Sequence, residues 1–250
     1  MLPAHFNRTG RPLIWAHRGA SAEAPENTLA AFSLALAQDA DGIELDAQRC
    51  ASGEVVALHD ASLQRTTGFP ALVTDASYSV LRTLDAGAWK ADRFRGERIP
   101  LLAEVLETFP RLVNVELKCE ATDDGGLTAE VVNVVRATRA EDRVLLSSFN
   151  GACLWRARLL APRIPRALLF ESEQRWPLRS GLFAPLLGVQ SLHPEHVLAT
   201  ASRVSRWRGR GYSVACWTVD DPEDAARLYE SGTAAIITNR PARMRARWPC

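Results

Sequence analysis

Gly42-Ile43-Glu44-Leu45-Asp46, with His17-Arg18-Gly19 upstream and Leu58-His59-Asp60 downstream, is the stretch on which the reading of this chain turns. In an extended strand, side chains alternate between faces, so Glu44 and Asp46 share one wall while Ile43 and Leu45 take the other. Two neighbouring, partly buried carboxylates repel, so either one takes a proton or a cation sits between them. A hard ion such as Mg²⁺ or Ca²⁺ is the simpler answer.

His17 follows the apolar run Leu13-Ile14-Trp15-Ala16, and His59 follows Val55-Val56-Ala57-Leu58, so both are expected at the C-terminal ends of strands. Imidazole exchanges protons near neutral pH, and the planar fork of Arg18 fits a phosphate. Each feature alone is ordinary packing or surface; their concentration within one short stretch is not.

The motifs His17-Arg18-Gly19-Ala20, Pro25-Glu26-Asn27-Thr28, Glu44-Leu45-Asp46, Gly53, His59-Asp60 and Leu63 through Arg65-Thr66-Thr67 resemble those of the glycerophosphodiester phosphodiesterase family, cytoplasmic bacterial type. The resemblance continues through Leu84-Asp85-Ala86-Gly87, Glu97-Arg98-Ile99-Pro100-Leu101 and Glu116-Leu117-Lys118. It resumes at His193-Pro194, Trp217-Thr218-Val219 and Ile236-Ile237-Thr238, so it covers nearly the whole chain.

Beyond these motifs, short apolar β-branched runs alternate with amphipathic stretches, the pattern of repeated βα units around a parallel sheet. Strands are expected at Leu13–Ala16, Gly42–Ala47, Leu112–Lys118, Val144–Phe149, Ala167–Phe170, Val189–Leu192, Ser213–Val219 and Ala235–Thr238. This number of strands suggests a (β/α)₈ TIM barrel with its site at the strands' C-terminal ends, and a doubly wound sheet is the competing architecture. The family's fold is the barrel, which the resemblance therefore implies. The whole chain, 1–250, is expected to be one barrel domain, with 60–100 as the small insertion the family carries after its second strand.

Ala51-Ser52-Gly53 is a turn signal that returns His59 beside the carboxylate strand on a short hairpin. A first helix is expected from Glu26 to Gln38, its free N–H groups facing the pocket mouth and favouring an anion there. Further helices are expected at Leu101–Phe109 and Val131–Arg139, while 175–185 reads as a loop or irregular helix.

Within Leu112–Lys118, period two aligns Asn114, Glu116 and Lys118, which by themselves make nothing more than a surface ion pair. The resemblance implies that Glu116 joins Glu44 and Asp46 as a third ligand of one divalent ion, Mg²⁺ or Ca²⁺, and that Lys118 contacts phosphate. It also implies a pocket position for His193. Glu171, just past a strand end, is a candidate pocket residue or merely solvated. Trp217 either packs in the barrel or meets glycerol carbons or a quaternary ammonium head group. At 234–239 the chain reads Ala-Ala-Ile-Ile-Thr-Asn where the family typically has Asp-Gly-Ile-Ile-Thr-Asp, so the final carboxylate is the amide of Asn239.

Charged residues make up 24% and the formal net charge is +1, which disfavours bulk attraction to nucleic acid or anionic membrane. The five cysteines are scattered without a C-x-x-C pair, which argues against a zinc site or disulfide framework and for a reducing compartment, read as the cytoplasm. No leader, bilayer-length apolar run or exposed apolar stripe is legible, which argues against stable membrane insertion and disfavours membrane-embedded lysophospholipids as substrates.

The resemblance thus implies a metal-dependent hydrolase releasing sn-glycerol 3-phosphate from small glycerophosphodiesters such as those of choline, ethanolamine and glycerol. His17 and His59 would divide acid and base duties, with Arg18 and Lys118 on the phosphate. Lysophospholipase D-type activity and a non-catalytic binder of phosphorylated ligands are the alternatives, and a monomer or homodimer is expected.

Overall fold

The computed structural model describes residues 2–6 and 10–249. Its strands are β1 (Leu13–His17), β2 (Gly42–Arg49), β3 (Val55–Ala57), β4 (Leu112–Leu117), β5 (Val144–Ser148), β6 (Arg166–Phe170), β7 (Ser191–Pro194), β8 (Ser213–Cys216) and β9 (Ala235–Thr238). They hydrogen-bond in the order β1-β9-β8-β7-β6-β5-β4-β2-β3, and β1 also pairs with β2, which closes the sheet. Among the described residues only β3 runs antiparallel, against β2, and the other eight strands are parallel. The closure excludes the doubly wound sheet and makes the fold a (β/α)₈ barrel.

The helices are α1 (Leu29–Ala37), α2 (Gln64–Thr67), α3 (Tyr78–Leu81), α4 (Leu102–Thr108), α5 (Leu127–Ala137), α6 (Gly151–Leu160), α7 (Ala184–Leu187), α8 (Ala201–Gly209), α9 (Pro222–Glu230) and α10 (Pro241–Arg247). Among the described residues no helix is long and apolar enough to cross a membrane.

Strand alternation sorts the core into layers. Outward-facing Ile43, Leu45, Val113, Val115, Val144 and Leu146 pack with Phe32, Val105, Val131 and Val135 of the surrounding helices. Phe32 is fully buried there, and its truncation to Ala would cost about 3–5 kcal/mol by the cavity it leaves. Inward-facing Leu13, Trp15, Leu145, Ala167, Ala215, Ala235 and Ile237 cluster with Phe6, whose ring stacks on Trp15 at 6.2 Å between centroids. This apolar floor leaves the opposite, C-terminal mouth to polar side chains.

Local boundaries depart from the sequence expectations for identifiable reasons. Helix α1 begins at Leu29 rather than Glu26, because Asn27 adopts φ 57° and Thr28 caps the helix by accepting from the Ala31 N–H. Glu97 Oε2 accepts from the Ala30 N–H at 3.4 Å, so this helix start is served by the protein's own cap and carboxylate rather than left open for an external anion. Strand β7 lies at Ser191–Pro194, later than expected, since Gln190 is held instead by hydrogen bonds to the Arg166 backbone and Gly188 carbonyl. Strand β8 stops at Cys216, and Trp217 only bridges to Glu195. Helix α5 begins at Leu127, ahead of the expected Val131, because Gly126 at φ 85° and the Asp124 carboxylate start it there.

The turn at Ala51-Ser52-Gly53 is present, with Gly53 at φ 105°, and β3 pairs back on β2 as the hairpin reading requires. After β3, Leu58, Leu63, Val73, Ala76, Leu81, Ala86 and Ile99 form a small apolar cluster with Cys50 and Val56. Lys90 Nζ of this segment donates to the Ser21 carbonyl at 2.7 Å and Arg93 to that of Glu23 at 3.1 Å, tying it to the β1–α1 loop.

Candidate active site

The mouth of the barrel opens into a cleft of about 1070 Å³ lined by His17, Arg18, Glu44, His59, Glu116, Lys118 and Trp217, among others. Register explains the convergence: β1 sets His17 beside Glu44, and β2 sets Glu44 beside Asn114 and Asp46 beside Glu116. Because parallel strands alternate in phase, the inward positions of β1, β2 and β4 fall on one wall.

Glu44, Asp46 and Glu116 each offer a carboxylate oxygen within 4.8 Å of the others. Glu44 and Asp46 are buried and Glu116 nearly so, and their electrostatics follow from that burial. Burial, then the charges of Asp46 and Glu116, pushes the Glu44 carboxyl well above the usual range. Burial and the Asp46 charge raise Glu116 to about 7, despite Lys118. Burial would raise Asp46 too, but Arg18 and then Lys118 overcome it and hold Asp46 ionised, below the usual carboxylate range. Three converging carboxyls, two of them reluctant to ionise, fit a divalent cation far better than they fit one another.

Cationic partners flank this cluster. Arg18 Nε lies 3.2 Å from Asp46 Oδ2 without the alignment of a hydrogen bond, while its Nη1 donates to Glu26 Oε1 at 3.1 Å. Lys118 Nζ is 2.9 Å from Glu116 Oε1 and 3.6 Å from Asp46 Oδ1. Arg18 itself has φ 56°, a left-handed conformation that is costly for a residue with a Cβ. Its backbone N–H is thereby aimed at Glu44, donating to Oε2 at 3.1 Å. The next residue has to be glycine: at Gly19, φ 84°, an added Cβ would lie 2.8 Å from the Ala31 carbonyl oxygen.

The two histidines are held differently. His17 Nδ1 is 2.7 Å from Asn239 Oδ1, and its Nε2 is 4.0 Å from Glu44 Oε2. Burial, with Arg18 beside it, pushes His17 down to about 4, so the ring is neutral near pH 7. His59 is more open to the cleft, and its Nδ1 lies 2.7 Å from Asp60 Oδ1. Asp60 is in turn gripped by Arg65, whose hydrogen bond holds that carboxyl down at about 2. Arg65 also donates twice to Glu26, at 2.7 and 2.9 Å, linking both histidine loops.

The remaining rim is less charged. The Trp217 indole donates to the His193 carbonyl at 2.8 Å and meets Phe149 edge-on at 5.5 Å between centroids. Glu171 lines the cleft, whereas His193 is 3% exposed and does not, burial pushing its ring down to about 3. Cys119, past the end of β4 at Leu117, is on the lining and also packs against the apolar layer formed with the surrounding helices.

Several residues at the site were given no role by the sequence reading. Asn27 locks Asp46 by donating to Oδ2 at 2.8 Å and accepting from its backbone N–H at 3.2 Å. Asn114, legible only as an inward position of its strand, lines the cleft with both amide atoms buried and unpartnered among the described residues. Asp220 accepts from Asn239 Nδ2 at 2.7 Å, and no sequence signal marks it beyond its place two residues after Thr218. Beyond Gln174, which lines the cleft, the 175–187 segment exposes Trp176, Leu178, Leu182, Phe183 and Leu186. These exposed apolar side chains carry no periodic stripe in the sequence.

Comparison with known proteins agrees with this geometry. The sequence profile of the Glycerophosphoryl diester phosphodiesterase family matches residues 17–243. A glycerophosphodiester phosphodiesterase of Caldanaerobacter subterraneus subsp. tengcongensis is 36% identical, covering 92% of this chain and 95% of its own. A lysophospholipase D of Mus musculus is 27% identical over 92% of this chain and 83% of its own. An Oleispira antarctica phosphodiesterase, solved in complex with the product sn-glycerol-3-phosphate, superposes with a TM-score of 0.87 at 32% identity, covering 95% and 96% of the two chains.

Proposed function

The chain belongs to the glycerophosphoryl diester phosphodiesterase family, and from that membership we propose that it hydrolyses small glycerophosphodiesters to sn-glycerol 3-phosphate and an alcohol. The observation that carries the reading is the convergence of Glu44, Asp46 and Glu116 within 4.8 Å at a barrel mouth that also holds two histidines and two phosphate-type cations. The donor set is all oxygen and fits Mg²⁺ or Ca²⁺. Such an ion, when bound, supplies Lewis-acid polarisation of phosphoryl and hydroxyl oxygens.

The chain's own residues account for the rest. Arg18 and Lys118, each already beside a carboxylate, offset charge developing on the phosphoryl oxygens. The unpartnered Asn114 amide offers a donor and an acceptor to a glycerol hydroxyl. One of His17 and His59 takes the proton of the attacking oxygen, which belongs to water or to the neighbouring glycerol hydroxyl by way of a cyclic phosphate. The other protonates the departing alkoxide. Trp217 offers an indole face to the glycerol carbons or to a choline head group. The segment 60–100 shapes the mouth as part of the one barrel unit, with Ala61 and Thr74 on the cleft lining. A cytoplasmic location and action as a monomer or homodimer complete the reading; the buried free thiols of Cys50, Cys153 and Cys216 suit a reducing compartment.

The experiment is release of sn-glycerol 3-phosphate from glycerophosphocholine, glycerophosphoethanolamine and glycerophosphoglycerol. Release from at least one is expected, and none from any of the three would overturn the reading. A second reading, lysophospholipid hydrolysis, is favoured by the exposed Trp176, Leu178, Leu182, Phe183 and Leu186, which offer an acyl chain somewhere to lie. Faster turnover of lysophosphatidylcholine than of glycerophosphocholine, lost in a Trp176→Ser/Phe183→Ser variant, would establish it.

A further inference from the structure

A hydrogen-bonded chain runs from β8 to β1 behind the cleft. The Asp220 carboxylate accepts from the Thr238 hydroxyl at 2.9 Å, from the Asn239 backbone N–H at 2.8 Å and from Asn239 Nδ2 at 2.7 Å. A carboxylate accepting from the backbone is an acceptor on every side, so the Asn239 atom facing it has to be the NH₂. The amide oxygen is thereby turned toward β1, where it meets His17 Nδ1 at 2.7 Å and the Ser21 hydroxyl at 2.8 Å. An oxygen acceptor at Nδ1 requires the proton on Nδ1. The ring's other nitrogen, Nε2, then faces Glu44 and the carboxylate cluster, at 4.0 Å.

We infer that Asp220 and Asn239 are a positioning pair for the proposed hydrolysis: Asp220 orients the Asn239 amide, which fixes the ring plane and tautomer of His17 so that every proton it exchanges with the reactants passes through Nε2. Neither residue touches the cleft reactants; both act through His17. The arrangement also accounts for an amide rather than a carboxylate at position 239. With Asp220 at 2.7 Å, a second carboxylate there would face a like charge, and the amide instead converts the Asp220 acceptor into a correctly aimed acceptor for His17.

The pair is tested by long-range ¹H–¹⁵N spectra of the imidazole nitrogens in the metal-free protein, together with kcat and KM on glycerophosphocholine at saturating Mg²⁺. In the wild type, His17 should show the Nδ1–H tautomer. Asn239→Leu should lower kcat by about 10–100-fold, the scale typical of removing a group that orients a functional histidine, with KM within about threefold and tautomers mixed. Asp220→Asn, which no longer dictates the orientation of the amide, should fall in the same direction. Asn239→Asp should also lose activity through repulsion. The double variant Asp220→Asn/Asn239→Asp again gives every donor an acceptor, with the side-chain bond between the two positions reversed and an oxygen acceptor kept toward His17 Nδ1, and should recover most of the wild-type kcat. An Nε2–H tautomer in the wild type, or a double variant no better than the worse single one, would overturn the inference. The spectra require no turnover, so an inactive wild type with the Nδ1–H tautomer would count against the hydrolase reading while leaving the pair standing.

Discussion

The two sides of the barrel mouth differ in kind. The inward positions of β1, β2 and β4 supply His17, Glu44, Asp46 and Glu116, with Arg18 and Lys118 immediately past the strand ends. The inward positions of β5, β6, β8 and β9 supply Ser147, Leu169, Ala215 and Ile237, with Phe149 and Trp217 beyond. Both sides use the same strand geometry and the same alternation. Charge is concentrated where three adjacent parallel strands let carboxylates meet, and the opposite side, apart from Glu171 and Gln174 past β6, contributes a mainly apolar wall. In the proposed function the chemistry belongs to the one side and recognition of the alcohol's bulk to the other.

That division can be broken most forcefully on the charged side. Asp46→Ala removes the carboxylate that Arg18, Lys118 and Asn27 all hold. It should abolish product release to the level of a chelator-treated wild type, a loss of about 10³-fold or more. Measurable turnover within tenfold of the wild type would remove Asp46 from the site. His17→Ala and His59→Ala should each lower kcat by about 10²–10⁴-fold, the usual range for a positioned acid or base, with folded-state circular dichroism unchanged. Near-normal rates in both would end the assignment of proton transfer to them.

A smaller effect sharpens the electrostatic side. Glu116 is raised to about 7 by burial and the Asp46 charge, so in the metal-free protein its ionisation opposes folding. The folded state binds more protons at this group than the unfolded state between its ordinary carboxylate value and about 7, so its contribution falls as pH rises through that window. Metal-free Glu116→Gln should therefore gain stability relative to wild type as pH rises from about 4.5 to 7, by on the order of 3 kcal/mol, and stay level above. Thermal midpoints of both proteins across that range check it; parallel curves would show that Glu116 ionises freely.

On the apolar side the expected effect is the smallest. Trp217→Ala should raise KM for glycerophosphocholine by about tenfold, with kcat little changed, since loss of a cation–π or packing face weakens ground state and transition state alike by about 1–2 kcal/mol. Its KM for glycerophosphoglycerol should move less. A kcat collapse instead would mean that the indole belongs to the chemistry.

How far the sequence carries this picture follows the same division. Much of the charged side was legible because its residues sit in short-range patterns, Glu44 and Asp46 two apart on a strand and His17 and His59 at strand ends, whereas Glu116 and Lys118 in phase read by themselves as an ion pair and joined the site through the family resemblance. The strand count was legible too, although β7 lies later and β8 ends earlier than their apolar runs imply. What stayed hidden depends on contacts between loops far apart in the chain. His17 and Asn239 are 222 positions apart, and nothing local in Asp220 declares that it will orient that amide. Arg65 gripping Glu26 at a separation of 39 is of the same kind. The exposed apolar side chains of 175–187 escaped because they have no periodicity; they are exposed by a loop and a single helical turn rather than by one helical face.

In the proposed function the carboxylates of Glu44, Asp46 and Glu116 hold a divalent ion on which turnover depends. Calorimetric titration of the metal-free wild type with Mg²⁺ and with Ca²⁺, run beside sn-glycerol 3-phosphate release at each metal concentration, tests it most directly. One ion per chain is expected, with binding lost in Glu44→Gln/Asp46→Asn and a rate that rises in step with occupancy. Full turnover in the presence of excess chelator, or binding undiminished in that variant, would contradict it.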